Sequence, residues 1–143
     1  MITYPVRFTG KASAPAGMQE SWATTASEQS FGCAIPEAFE GGGKAASPED
    51  YFLLAVMNCF MATFKVYATY SKFDFTELGV DAVLLVDKSD EGRPCMHTVE
   101  LDVRLTGATR RERAQLLVDK TLANGFILQS LKTRLTVSLT YLD

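Results

Sequence analysis

The longest apolar run in the chain extends from Tyr51 to Phe64, and it is apolar around the whole helical circumference except at Asn58 and Thr63. Ser47-Pro48-Glu49-Asp50 stands immediately before it. Ser47 suits the N-cap, Pro48 the first helical position, and Asp50 closes a Ser-x-x-Asp capping box. Glu49 and Asp50 also complement the positive end of the helix dipole. This pattern predicts a helix from the Ser47 cap to about Ser71, greasy on every side and therefore buried on every side. Elsewhere the period changes to two. Tyr4 to Phe8 reads as a strand with Pro5 at its edge or start. Met18 to Thr25 is a less regular strand, and Phe31, Cys33 and Ile35 alternate with small or polar residues, which puts Cys33 on an apolar face. Val80 to Asp87 is a strand, Ser89 to Pro94 a hairpin loop, and Val99, Leu101, Val103 and Leu105 alternate with charged residues as a half-buried strand. Thr109 is expected to cap a second helix that carries Ala114, Leu117, Val118, Thr121 and Leu122 on one face and ends at Asn124-Gly125. Leu135, Val137, Leu139 and Tyr141 form a last strand. Lys11 to Gly17 and Pro36 to Ala46 read as loops, the second made flexible by Gly41-Gly42-Gly43.

This order of elements predicts one α+β domain over residues 1–143, mainly antiparallel sheet around a long buried central helix. A domain of 143 residues has difficulty covering such a helix on all sides, so a second subunit is the simplest cover and a homodimer is expected.

Composition narrows the function. A net charge of -3 and the lack of any basic or basic-aromatic patch argue against nucleic-acid binding. The N-terminus has no basic region followed by an apolar one, so no signal peptide is expected. The apolar run is shorter than the roughly 20 residues that span a bilayer, and Lys65 follows it, so no membrane partner is expected. The chain therefore reads as cytoplasmic. Its three cysteines, Cys33, Cys59 and Cys95, lack metal-ligand spacing, and His97 is the sole histidine. No metal and no other cofactor is expected, and the cysteines read as free thiols rather than a disulfide framework.

Cys59 is the chemically suggestive residue, set about three turns into the apolar helix. One reading is inert packing, since free cysteine fills cores like a small hydrophobe. The other is a nucleophile, which needs a nearby cation or directed donors to favour the thiolate. Thr63 lies one turn on, on the same face. Glu49 either complements the helix dipole or orients a cation brought from Arg7, Lys11 or Lys44; alone it would repel a thiolate. Phe52, Met57, Phe60 and Phe64 offer an apolar lining for an apolar substrate. Cys33 and Cys95 are possible partner thiols.

Phe39-Glu40-Gly41-Gly42-Gly43, then Ser47-Pro48-Glu49, then the apolar helix with Asn58-Cys59-Phe60, resembles the OsmC/Ohr family of osmotically inducible and organic hydroperoxide resistance proteins. Gln129-Ser130-Leu131-Lys132 resembles that family's ending. The resemblance implies an intertwined α+β homodimer and a thiol peroxidase. Cys59 would be its peroxidatic thiol and Glu49 the acidic member of an activating Glu-Arg pair. A second cysteine and an external dithiol reductant would complete the cycle. The chain departs from this pattern at two places. Gly125 stands where the family's second cysteine belongs, and Ala14 to Met18 lacks the family's arginine. Three alternatives follow: turnover by Cys59 with an external thiol, a relocated resolving thiol at Cys33 or Cys95, or a redox-inactive dimer that binds a small apolar ligand.

Overall fold

A computed structural model of the chain describes all 143 residues. It divides into two compact units, Met1–Tyr51 and Phe52–Asp143.

The first unit is a three-stranded antiparallel meander, β1 (Gly10–Ser13), β2 (Trp22–Ala26) and β3 (Gln29–Cys33), followed by a 3-10 turn over Glu37–Phe39. Two expectations change here. The strand anticipated over Tyr4 to Phe8 is unpaired, and its apolar residues Tyr4, Val6 and Phe8 are exposed. Alternation alone does not make a strand where no neighbouring strand accepts the backbone bonds. Lys11 to Ser13, read as loop, instead pairs with β2. The glycine loop is held rather than slack: Gly41 N–H donates to Pro36 O at 3.0 Å and Gly43 N–H to Ile35 O at 3.1 Å. A Cβ at Gly41 would collide with the Ile35 carbonyl, and one at Gly42 with that of Gln19, so close backbone approach requires glycine at both places.

Helix α1 runs from Pro48 to Tyr70, within a residue of the expected ends. Its capping box is formed: Asp50 N–H donates to Ser47 Oγ at 3.1 Å and Ser47 N–H to Asp50 Oδ2 at 2.8 Å. The helix has 23 residues and a most apolar window of mean hydropathy 1.4, so by length and composition alone it could span a bilayer. That corrects the expectation that it is too short, although the core helix of a soluble domain meets the same test.

The second unit carries β4 (Glu77–Lys88), β5 (Pro94–Thr106), α2 (Ala114–Asn124), the single-turn α3 (Phe126–Gln129) and β6 (Arg134–Leu142). β4 and β5 form an antiparallel hairpin with a register shift between Leu85 and Val86. β6 lies on the other side of β5 and runs parallel to it. A parallel pairing needs a long crossover, and α2 with α3 supplies it. Thr109 is not the N-cap of α2; a 3-10 turn over Arg111–Arg113 leads into the helix with no side-chain cap. One core joins these elements. Val56, Phe60, Phe64 and Ala68 form a stripe on α1, one residue every four. They pack with Val99, Leu101, Val103 and Leu105 of β5, with Leu117 and Val118 of α2, and with Leu128 of α3. Burial in the subunit is confined to that stripe. Leu54 is 47% exposed and Val66 48%, so the expectation of a helix buried all round is not met by one subunit.

Candidate functional site

Cys59 lies near the middle of α1, one position before the buried Phe60, and is half-buried at the border of the core. Its sulfur has one polar neighbour, the Thr63 hydroxyl at 3.9 Å. The helical spacing of four explains that contact. Asn58, adjacent in sequence, turns its amide back to the Leu54 carbonyl at 2.9 Å and is not directed at the thiol. Of the four residues expected to line an apolar pocket, Phe60 and Phe64 are fully buried in the core and are not available to a ligand. Phe52 and Met57 remain half-buried.

Gly125 is the neighbour that sequence reading approached only through an alignment. It joins α2 to α3, with its N–H donating to Thr121 O at 2.9 Å. A Cβ built on it would stand 3.2 Å from Cys59 Sγ and 2.9 Å from Leu128 Cδ1. The backbone there has φ -62° and ψ 127°, a conformation open to any L-residue. The backbone therefore does not call for glycine at this site. The proximity of Gly125 to the sulfur comes from tertiary packing and has no signature in local composition.

Glu49 sits in the first turn of α1. Cys59 is ten residue steps further along α1, about 15 Å of rise. Glu49 makes no ion pair; the salt bridges of the subunit are Arg104 with Asp81 and Asp102, and Arg111 with Asp143. Arg7, Lys11 and Lys44 are therefore not engaged as the expected cation. Asp50, beside Glu49, is committed to the cap.

The two other thiols lie in different surroundings. Cys33 ends β3 and is buried. Burial pushes its thiol above the ordinary 9.0, with smaller upward contributions from the Glu49 and Asp50 carboxylates, against a lowering by the Ala34 N–H. Cys95 is half-buried at the hairpin end of β5, where its thiol donates to Asp87 O at 3.6 Å. All three cysteines are free thiols. His97 is exposed, with Nδ1 2.7 Å from Thr98 Oγ1. No group of three His, Cys, Asp or Glu side chains is placed to hold a metal ion.

The arrangement is thus a half-buried cysteine on a long helix, faced by a residue without a side chain. Known proteins share the architecture around it. Residues 41–140 match the family model described as OsmC-like protein. No curated protein sequence matches significantly. Among solved structures, an OsmC-like protein of unknown function from Vibrio cholerae superposes with a TM-score of 0.80 at 15% identity, covering 94% of this chain and 99% of that one. An organic hydroperoxide resistance protein from Legionella pneumophila gives 0.73 at 20% identity, covering 97% and 100%. One from Elizabethkingia anophelis gives 0.74 at 22% identity, covering 98% and 99%. These identities establish the shared fold. Together with the family match over the glycine loop, α1, the crossover and most of β6, they show that the chain belongs to the OsmC-like protein family.

Proposed function

We propose that the protein is a thiol-dependent peroxidase that reduces organic hydroperoxides through Cys59. The observation that carries this reading is the placement of Cys59: half-buried near the middle of α1, with its sulfur beside the bare backbone of Gly125. Two of the structural relatives are named as organic hydroperoxide resistance proteins, which supports the same substrate class. The chemistry balances on one sulfur. The Cys59 thiolate attacks the distal oxygen of the hydroperoxide, an S–O bond forms, and the O–O bond breaks. The alkoxide takes a proton and leaves as an alcohol, and the sulfur, oxidised by two electrons, becomes a sulfenic acid. Half-buried Phe52 and Met57 favour an apolar substrate over hydrogen peroxide. Glu49, about 15 Å away along α1, makes no ion pair within the subunit; in this reading it is a positioning residue for a cation brought by the second copy of the chain, since a carboxylate facing the sulfur would oppose ionisation.

The functional form in this reading is a cytoplasmic homodimer. The apolar residues that α1 leaves exposed, Leu54 and Val66 among them, are covered by a second copy of the chain.

A second reading is a redox-inactive dimer that holds a small apolar ligand. It is favoured by the absence of any ion pair at Glu49 and by glycine at position 125. One experiment separates the two. Purified protein is given cumene hydroperoxide and dithiothreitol, and peroxide loss is followed beside the Cys59→Ser variant. The peroxidase consumes peroxide and the variant does not; equal, background rates leave only the ligand-binding dimer.

A further inference from the structure

A thiol attacks as the thiolate, and a thiolate needs a positive group or a directed donor beside it. Cys59 lies well inside α1, beyond the first turn over which a helix dipole favours an anion. Glu49 holds no cation in the subunit. Two neighbouring N–H donors are committed elsewhere: the Asn58 amide to Leu54 O at 2.9 Å, and the Gly125 N–H to Thr121 O at 2.9 Å. What remains is the Thr63 hydroxyl, 3.9 Å from Sγ.

A helical threonine ordinarily turns its hydroxyl back to the carbonyl four residues earlier. Thr69 does so to Lys65 O at 2.9 Å, and Thr121 to Leu117 O at 2.8 Å. Thr63 is the exception among the helical threonines. Its hydroxyl makes no bond to the Cys59 carbonyl, and its partner is the side chain of that same residue. Helical side chains lean toward the N-terminus, so position 63 overlies position 59. A β-branched side chain also has few rotamers in a helix, which holds the hydroxyl over the sulfur. With the backbone acceptor unused, the sulfur is the acceptor that the protein offers to the hydroxyl hydrogen.

We infer that the Thr63 hydroxyl donates a hydrogen bond to the Cys59 sulfur and is the group within the subunit that favours its thiolate. This inference rests on the peroxidase reading and adds a catalytic residue to it. Thr63 gives up no proton: its O–H bond stays intact while the sulfur attacks the hydroperoxide, and the alkoxide takes its proton from solvent. Hydrogen bonds to an ionised partner are shorter and stronger than those between neutral groups. The contact, long in the resting protein, therefore tightens as the sulfur takes up charge. The opposite polarity, with the thiol donating to the hydroxyl, would hold the sulfur protonated. The two polarities predict opposite effects of removing the hydroxyl.

The test compares the whole chain with its Thr63→Val, Thr63→Ala and Thr63→Ser variants. Alkylation by iodoacetamide at neutral pH is mapped to each cysteine by mass spectrometry, with Cys95 as the reference thiol in the same molecule. Consumption of cumene hydroperoxide with dithiothreitol is measured beside it. In Thr63→Val, both alkylation of Cys59 and peroxide loss are expected to slow about tenfold. Alkylation of Cys95 is expected to be unchanged. Thr63→Ser, which keeps the hydroxyl, is expected to restore both rates.

Equal rates in wild type and Thr63→Val would overturn the inference, and so would faster alkylation, which would make the thiol the donor. A serine variant as slow as the valine one would assign the effect to packing and overturn it too. If Thr63→Val does not fold, Thr63→Ala decides the matter by the same criterion. Wild-type protein that consumes peroxide no faster than Cys59→Ser rejects the peroxidase reading and the inference with it. Wild-type turnover that Thr63→Val matches rejects the inference alone.

Discussion

At the scale of single residues, two cysteines of the same chain are set apart by their surroundings. Cys59 borders the core beside the backbone of Gly125, while Cys33 is buried at the end of β3 with two carboxylates nearby. For Cys33 the raised pKa has a thermodynamic counterpart. The unfolded thiol ionises near 9.0 while the folded one still holds its proton, so the native state binds more protons in that window. Stability is intact below pH 9 and falls as pH rises through the folded pKa. Thermal melts at pH 7 to 10.5 are expected to show a declining alkaline limb, shallower in a Cys33→Ala variant. An unchanged slope would mean that Cys33 ionises equally in both states. The sequence identified Cys59 as the thiol worth attention and put Cys33 on an apolar face. It could not reveal that Gly125 touches the Cys59 sulfur, because that proximity depends on how the crossover seats on α1.

At the scale of elements, legibility follows how local the determinants are. α1 was readable almost to the residue because its signals, a capping box and a Pro at the first turn, act within four positions. The alternating strand β5 was equally plain, and Val99, Leu101, Val103 and Leu105 are all buried as its pattern requires. What failed depended on partners: Tyr4 to Phe8 alternates yet pairs with nothing, whereas the less apolar Gly10–Ser13 is a strand because β2 lies beside it. The parallel sense of β6 is likewise a property of the connection and not of the strand. Two substitutions in α1 test its separate supports. Ser47→Ala removes the acceptor for the Asp50 N–H and is expected to cost about 1 kcal/mol in urea denaturation. Phe64→Ala empties a site lined by the rings of Phe60, Phe73 and Phe75, at centroid distances of 6.1, 6.3 and 5.9 Å. It is expected to cost about 3–5 kcal/mol. A cost below that of the cap would mean that neighbouring rings collapse into the space.

For the whole molecule, the exposed half of α1 is the feature that one subunit leaves unexplained. A 23-residue helix with one buried stripe presents Leu54, Val66 and, at its end, Tyr70 to solvent. In the dimer proposed above, a second copy of the chain covers these residues. Analytical ultracentrifugation is expected to give a dimer for the wild type and a monomer for Val66→Glu, whose buried charge would have no counter-ion. A wild-type monomer would instead leave α1 to some other cover. The crossover between β5 and β6 has a further consequence for how the molecule comes into being. Cys59 is made early in synthesis, and the residue that frames its sulfur comes much later, on the far side of a β-hairpin. Until the crossover docks, the thiol is an ordinary unstructured one, open to any oxidant or alkylating agent. Long-range pairings of this kind form slowly, so each new chain passes through a period in which the Cys59 sulfur has not yet gained the cover of Gly125 and Leu128.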